Sequence, residues 1–429
     1  ILISALVIGL AVYFVIKGAD VRLVLFLAGL SLSFIALKPW IIFDTFQKVI
    51  GDGKIIGPIC TAMGFAFVVR ETGCDKEMVR LLVQPIKKIK WLLLPGGCII
   101  GFLTNMAITS QTASAAAAVG PVLMPLMIAA GFHPIIAGAA LVLGCSAGGN
   151  LFNPGEPDIV AIQINTNGII GDILQRTVAP ELIGFLVAVT FFVFFSRKEP
   201  EEKIESEAVF EVQEETRPNI IKALLPPLPI ILLFMTQPKF NLFPPLLKLY
   251  PAGLPVPHAM LISTIIVFLI MNKELSKQTK AFFEGLGFAF TNVISLIITA
   301  SCFITGLEAV GLLKSLVSSI SSSGITGKLI STVFPLMLGI LSGSGTAPSV
   351  GFSQAVLPEI SKLSQTGAID LGIMGAIGAT FGRTMSPVAA VVIFTSVLLN
   401  IKPLQIVKRT APPLLIGLAA MFVYMLFKS

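Results

Sequence analysis

Charge is scarce in this chain. Of 429 residues, 12% are Asp, Glu, Lys or Arg, about half of what a soluble domain carries. With 55% apolar residues and a mean hydropathy of +0.92, an ordinary water-soluble globule is excluded and the chain reads as a membrane protein. Histidine is nearly missing. His133 and His258 each adjoin a proline at a helix end, and two scattered histidines make neither a metal site nor a recognisable triad. Five cysteines (Cys60, Cys74, Cys98, Cys145, Cys302) lie far apart without a CxxC pair, so they read as small buried hydrophobes. No nucleophile stands with a base, and no Gly-rich phosphate loop with its Gly-Lys-Ser/Thr ending is found. An enzyme and an ATP-driven pump are therefore both unsupported. The alternating pattern of an outer-membrane barrel is also lacking. The net charge of +7 does not indicate nucleic acid, because most basic residues sit in short loops, where they set topology. The chain opens at Ile1 without methionine, which reads as a trimmed start, so no targeting segment is judged from it.

What is present is long apolar sequence that repeats itself. Long apolar runs such as 3–16 and 414–427 form the cores of segments that, with their flanks, reach the about 20 residues a spanning helix needs. Ser110, Thr112 and Ala113 in SQTAS recur as Ser344, Thr346 and Ala347 in SGTAPS. Gly149 and Pro154 in GGNLFNP recur as Gly382 and Pro387 in FGRTMSP, and ILQRTVAPELIG (173–184) recurs as IVKRTAPPLLIG (406–417). A weaker match pairs Thr61, Ala62, Phe65 and Gly73 with Thr299, Ala300, Phe303 and Gly311. Two related halves with interrupted helices at corresponding places are the sequence mark of a secondary transporter.

The expected fold is an all-α polytopic membrane protein of two inverted repeats, residues 1–196 and 220–429. The first half is predicted to hold helices near 2–17, 21–37 and 54–70, a re-entrant hairpin over about 92–130, a broken helix over about 134–165 and a helix near 176–196. The second is predicted to hold helices near 220–236, 256–271 and 286–308, a hairpin over about 327–362, a broken helix over about 367–401 and a last helix near 408–428. The linker 197–219 carries eight glutamates and no long apolar run, so it reads as a solvated cytoplasmic connector. A hairpin that enters and leaves by one face adds no crossing, so each half crosses five times and the second half is inverted. Charge agrees: 19 Lys/Arg fall on the face holding 71–91, 197–219 and 272–285, and 10 on the other, with Arg383 left inside. The richer face is cytoplasmic by the positive-inside rule, which places both termini outside. Two amphipathic stretches, 76–91 and 308–320, are either interfacial arms beside the hairpins or ordinary loop helices.

The candidate site lies in the interruptions. The hairpin tips TNMAITSQTAS (104–114) and SGSGTAPS (342–349) put hydroxyls, amides and glycines where a membrane helix is apolar. Unpaired backbone groups cost several kcal/mol in lipid, so such breaks persist where they line a cavity or bind something. Ser110, Gln111 and Thr112 in the first tip, with Ser344, Gly345 and Thr346 in the second, are candidates for substrate contact; small-residue helix packing is the alternative. In the first broken helix, GGNLFNPGEPD (148–158), Asn150 and Asn153 join the candidates. In the second, GRTMSPV (382–388), Arg383, Thr384 and Ser386 do, since proline frees carbonyls, although either proline taken singly can be a kink. Arg383 is the sharpest of these. A charge in mid-membrane costs at least about 2.5–3.5 kcal/mol, and a guanidinium holds carboxylates bidentately. It is expected to bind a substrate carboxylate, the alternative being an internal ion pair with Glu156 or Asp158. Those two acids, with Asn105 and Ser342, are the candidates for a coupling sodium ion or proton, unless the acids sit in a solvated cavity mouth.

These residues resemble the anaerobic four-carbon dicarboxylate carriers of the DcuC type, within the ion transporter superfamily. The resemblance is clearest in GSGTAPSVGF (343–352), FGRTMSPVAAVV (381–392) and IVKRTAPPLLIGL (406–418), and Ser110, Thr112, Pro154 and Asp158 fall on further family positions. It implies transport of succinate, fumarate, malate or similar dianions, in a bacterial inner membrane, by a homodimer whose transport domain moves as an elevator against a scaffold. GEPD (155–158) departs from the family's first break by adding Glu156 and a second proline, which leaves substrate and coupling ion open. A superfamily relative moving another organic anion, or exchanging sodium for protons, is the rival.

Overall fold

The computed structural model describes residues 2–17, 19–86, 89–107, 112–196, 218–238, 242–251, 253–312 and 324–428, and every regular element among them is helical. The first half contains α1 (Leu2–Ile16), α2 (Val21–Ile35), α3 (Trp40–Ile50), α4 (Gly53–Glu71), α5 (Cys74–Val83), α6 (Lys90–Ala107), α7 (Thr112–Ala129), α8 (Pro134–Ser146), α9 (Pro157–Thr166) and α10 (Ile170–Ser196). The second contains α11 (Ile220–Leu224), α12 (Leu228–Met235), α13 (Pro244–Leu249), α14 (Val256–Ile270), α15 (Leu275–Ala289), α16 (Ser295–Ala309), α17 (Gly324–Ser342), α18 (Thr346–Ser361), α19 (Gln365–Thr384), α20 (Ala390–Leu399) and α21 (Pro403–Phe427). Among the described residues, seven segments are long and apolar enough to cross a membrane: α4, α7, α8 through α9, α10, α15 through α16, α17 and α21.

Several boundaries differ from expectation for identifiable reasons. One helix is predicted over 220–236, but α11 and α12 are separate, because Pro226 and Pro227 offer no N–H to carry the ladder across. The helix predicted near 286–308 starts already at Leu275 and runs through a π turn at Phe290–Ile294 into α16, 35 residues in all. Helices α3 and α13 are not predicted. The first arm is helical as α5 over Cys74–Val83, whereas most of the second lies outside the described residues, as does nearly all of the linker.

The helices meet through small residues, which let backbones approach where no hydrophobic force separates protein from lipid. A Cβ on Gly144 would stand 2.6 Å from the Cys98 carbonyl oxygen, and one on Gly149 would stand 2.3 Å from that of Phe102. These contacts seat α8 and its break on α6. The same two contacts recur in the second half. A Cβ on Gly378 would stand 2.3 Å from the Thr332 oxygen, and one on Gly382 would stand 2.2 Å from the Leu336 oxygen, seating α19 on α17. Between the halves, α10 lies along α21, where a Cβ on Gly417 would stand 2.2 Å from the Gly184 oxygen. Outward faces are apolar: Leu186, Phe191, Phe194 and Phe195 of α10 and Leu329, Val333 and Met337 of α17 are exposed. Such a surface is a liability in water and ordinary against lipid tails.

Outside the long helices, α5 buries Asp75. Its Oδ1 accepts from the Lys76 N–H at 2.8 Å, but burial prevails and pushes the carboxyl up to about 6.

Candidate functional site

Two interruptions come together in the interior. After Ser146, α8 cannot continue: Gly148 has φ +94°, a short 3-10 turn covers Gly149–Phe152, and Pro154 and Pro157 lack donors. Asn153 shapes the exit, accepting the Gly155 N–H at 3.0 Å and donating to the Met106 carbonyl at 3.0 Å. Pro157 then opens α9 with Asp158 in its first turn, where an acid suits the helix dipole. Phe102, Phe152 and Phe185 stack beneath this break, with centroids 4.2 Å apart for Phe102–Phe185 and 5.7 Å for Phe102–Phe152. In the second half α19 ends at Thr384, a turn over 385–389 follows, and α20 starts at Ala390.

Arg383 reaches from the end of α19 into the first break. Its Nε donates to Ser146 Oγ at 3.2 Å, and its Nη2 donates to the Ser146 carbonyl at 2.8 Å and to Asn150 Oδ1 at 3.4 Å. Thr384 Oγ1 donates to the same Ser146 hydroxyl at 2.9 Å. Asn150 is a hub. Its Oδ1 also accepts from Asn105 Nδ2 at 3.2 Å, and its Nδ2 donates to Glu156 Oε1 at 2.8 Å. Asn150 and Arg383 stand 233 residues apart, at corresponding places in the repeat. Nη1 of Arg383 makes no hydrogen bond among the described residues. It lies 3.1 Å from where a Cβ on Gly345 would stand, so the glycine leaves that edge of the guanidinium clear beneath the second tip.

The second tip is ordered by its own serines. Gly343 has φ +68° and packs on Val388 and Ala389 of the second break. Ser342 Oγ accepts the Ser344 N–H at 3.2 Å, and Ser344 Oγ accepts the Ala347 N–H at 3.3 Å. Ser342, Ser344, Thr346 and Ser386 make no direct bond to Arg383, and Ser386 accepts instead from the Val388 N–H at 3.4 Å. In the first tip, Thr112 is buried at the start of α7, while Ser110 and Gln111 lie outside the described residues.

Three acids surround the guanidinium at longer range: Glu156, Asp158 and Glu181. All three are fully buried. Among the described residues, neither oxygen of Asp158 or of Glu181 has a hydrogen-bond partner, and neither acid is within ion-pair distance of Arg383. Of the expected alternative, an ion pair of Arg383 with Glu156 or Asp158, the Asp158 pair is not formed among the described residues. Among the described residues, Ser349 and Thr380 also carry buried hydroxyls without a hydrogen-bond partner. Reading the sequence misses Ser146, Glu181, Ser349 and Thr380. Glu181 had a usable signal, an acid inside an apolar helix, the same signal that singles out Arg383. Ser146 had only its place beside a glycine pair.

The model of the DcuC family, described as the C4-dicarboxylate anaerobic carrier, matches residues 45–429. The chain is 28% identical over 384 residues to the anaerobic C4-dicarboxylate transporter DcuC of Escherichia coli K12, spanning 87% of this chain and 80% of that one. With the protein of the same name from Escherichia coli O6:H1 it shares 27% over 384 residues, with the same coverage. A further relative, an uncharacterized transporter of Haemophilus influenzae, is 33% identical over 208 residues, 48% of this chain and 73% of that one. The family consists of carriers rather than enzymes, and the chain, a multi-pass membrane transporter, belongs to the DcuC family of C4-dicarboxylate anaerobic carriers.

Proposed function

We propose that this chain is a secondary active carrier of four-carbon dicarboxylates of the succinate, fumarate and malate type across the bacterial inner membrane. The observation that carries the assignment is Arg383. It is a buried cation whose Nε and Nη2 are held by Ser146 and Asn150 while Nη1 stays unbonded beneath Gly345. A fixed fork with one open edge is a carboxylate receptor. The second tip (Ser344, Gly345, Thr346) would cap the substrate, with Thr384, Ser386, Asn150, Asn153 and the first-tip residues Ser110, Gln111 and Thr112 supplying further polar contacts.

The two halves, 1–196 and 220–429 joined by the connector 197–219, are read as inverted repeats, each with a re-entrant hairpin and a broken helix. The recurring glycine contacts support this, as does the meeting of Asn150 with its counterpart Arg383. Such a pair rocks or slides as a unit past a fixed frame. An elevator motion of a transport domain in a homodimer, with both termini outside, is the form proposed here. Glu156, Asp158, Asn105 and Ser342 are the candidates the sequence offers for contact with a coupling sodium ion or proton.

One observation favours a second reading. The acids near Arg383 outnumber it, and an exchanger of sodium for protons would use Asp158 or Glu156 and dispense with the arginine. Counterflow in proteoliposomes separates the two. Loaded with succinate, vesicles should accumulate labelled succinate, and fumarate should compete. No exchange of any dianion rejects the carrier assignment; sodium-driven proton movement without a dianion establishes the second.

A further inference from the structure

We propose that Glu181 is the proton-carrying group of this transporter: its carboxylate takes up one proton as a substrate dianion settles on Arg383 and gives it up when the dianion leaves. This rests on Arg383 being the dianion's receptor, as set out above.

Glu181 sits in the middle of α10, fully buried, with neither oxygen hydrogen-bonded among the described residues. It is aimed at the first break: a Cβ on Gly148 would stand 1.8 Å from Oε1 and 2.7 Å from Oε2. Only a glycine admits the carboxyl there, and the backbone at Gly148 is held at φ +94°, so the carboxyl and the break fit each other. A packing role alone would be met by leucine, which stands at the matching repeat position, Leu414.

The elements packed on α10 bring other ionisable groups, and few of them face Glu181. On α10 itself Asp172 is exposed, and Arg176 pairs with Asp370 of α19 at 3.2 Å, where Lys428 joins at 3.3 Å. On α21, Lys408 and Arg409 are exposed and Tyr424 is half-buried. Lys90 lies at the far end of α6, and the α6 thiol of Cys98 donates to the Ala140 carbonyl. Before α9, Glu156 is held by Asn150, and Asp158 faces Ser349 and Glu156. The charge that acts on Glu181 is Arg383.

The consequence is electrostatic. With Glu156, Asp158 and Glu181 all ionised around one guanidinium, the site carries two net negative charges and repels a dianion. A bare carboxylate in a water-free interior is also costly without a donor or counter-charge. Arg383, though not within ion-pair distance, is the cation whose field reaches Glu181 in the empty site. When a substrate carboxylate takes the guanidinium, Glu181 loses that support and binds a proton. Proton and dianion therefore enter together, and linkage makes the effect mutual.

The test uses the full chain, purified and weakly buffered at alkaline pH, where succinate is fully dianionic. Proton uptake on succinate addition is followed with a pH dye, and succinate affinity is measured across pH. The wild type should take up one proton per succinate bound. Its affinity should strengthen as pH falls, by up to about tenfold per pH unit, the limit for one linked proton. In E181Q the uptake should vanish and the affinity profile should flatten. Uptake in E181Q equal to wild type overturns the proposal. So does a wild type that binds succinate without taking up a proton, a result that needs no variant to fold. If the wild type binds no dianion at all, the carrier assignment itself falls, which is a different failure.

Discussion

The two breaks solve one problem with opposite chemistry. The first is tight, with Gly148, Gly149, Pro154 and Pro157 in close succession, and it carries the acids Glu156 and Asp158 together with Asn150. The second is open, a short turn around Pro387, and it carries the single cation Arg383. The backbone contacts that seat them are alike, Gly149 on Phe102 and Gly382 on Leu336. The packing of the two breaks has stayed equivalent while their charge has diverged, and the position shared by Asn150 and Arg383 shows where.

The comparison is broken most forcefully at its cation. Arg383→Ala should abolish counterflow, a loss of at least about a hundredfold if the charge-assisted bonds to substrate are worth about 3 kcal/mol. Arg383→Lys, which keeps the charge and loses the fork, should recover only part of it. Unaltered exchange in Arg383→Ala would remove the receptor assignment. Equivalence of packing is tested by Gly149→Ala and Gly382→Ala. Each methyl group would meet a carbonyl oxygen at 2.3 and 2.2 Å, so each should cost at least about 1–3 kcal/mol, read as similar falls in the melting temperature of the detergent-solubilised protein. One variant melting as wild type while the other collapses would show that the halves are not packed alike.

The last test serves as a yardstick from an acid outside the breaks. Asp75, raised from 3.8 to about 6, binds its proton more readily in the folded state than in the unfolded one. Its contribution is therefore present at low pH and is lost as pH rises from about 4 through 6, a change of up to about 3 kcal/mol. Asp75→Asn should remove that dependence and leave the variant more stable than wild type at neutral pH. A melting temperature that rises through the same window in the wild type would contradict it.

Much of this was legible in the sequence because the repeat preserves residues whose role is backbone geometry. Gly149, Gly382, Pro154 and Pro387 are visible at a fixed spacing; Gly149, Pro154 and Pro387 lie in the interruptions, and Gly382 lies in the last turn of the helix before the second one. Arg383 was legible because an uncompensated charge in apolar sequence has few explanations. Glu181 hid in plain view: it lies in the segment that advertises the repeat, where similarity to 406–417 drew attention from the one position at which an acid replaces leucine. Ser146 was not legible, since a serine at a helix end bonds its neighbours in most proteins, and only the folded chain brings Arg383 to it across 237 residues. The split between α11 and α12 was readable from Pro226 and Pro227, but apolar content on both sides suggested continuity.

The uninterrupted stretch from Leu275 to Ala309 has one more implication. At about 1.5 Å per residue, 35 residues reach roughly 50 Å, well past the roughly 30 Å of hydrocarbon in a bilayer. Its partner α4 has 19 residues, enough for the hydrocarbon alone. The rod must therefore tilt within the bilayer or reach past the hydrocarbon, and its Leu275 end, where Lys277 and Lys280 are exposed, is the end whose side chains suit the headgroup level.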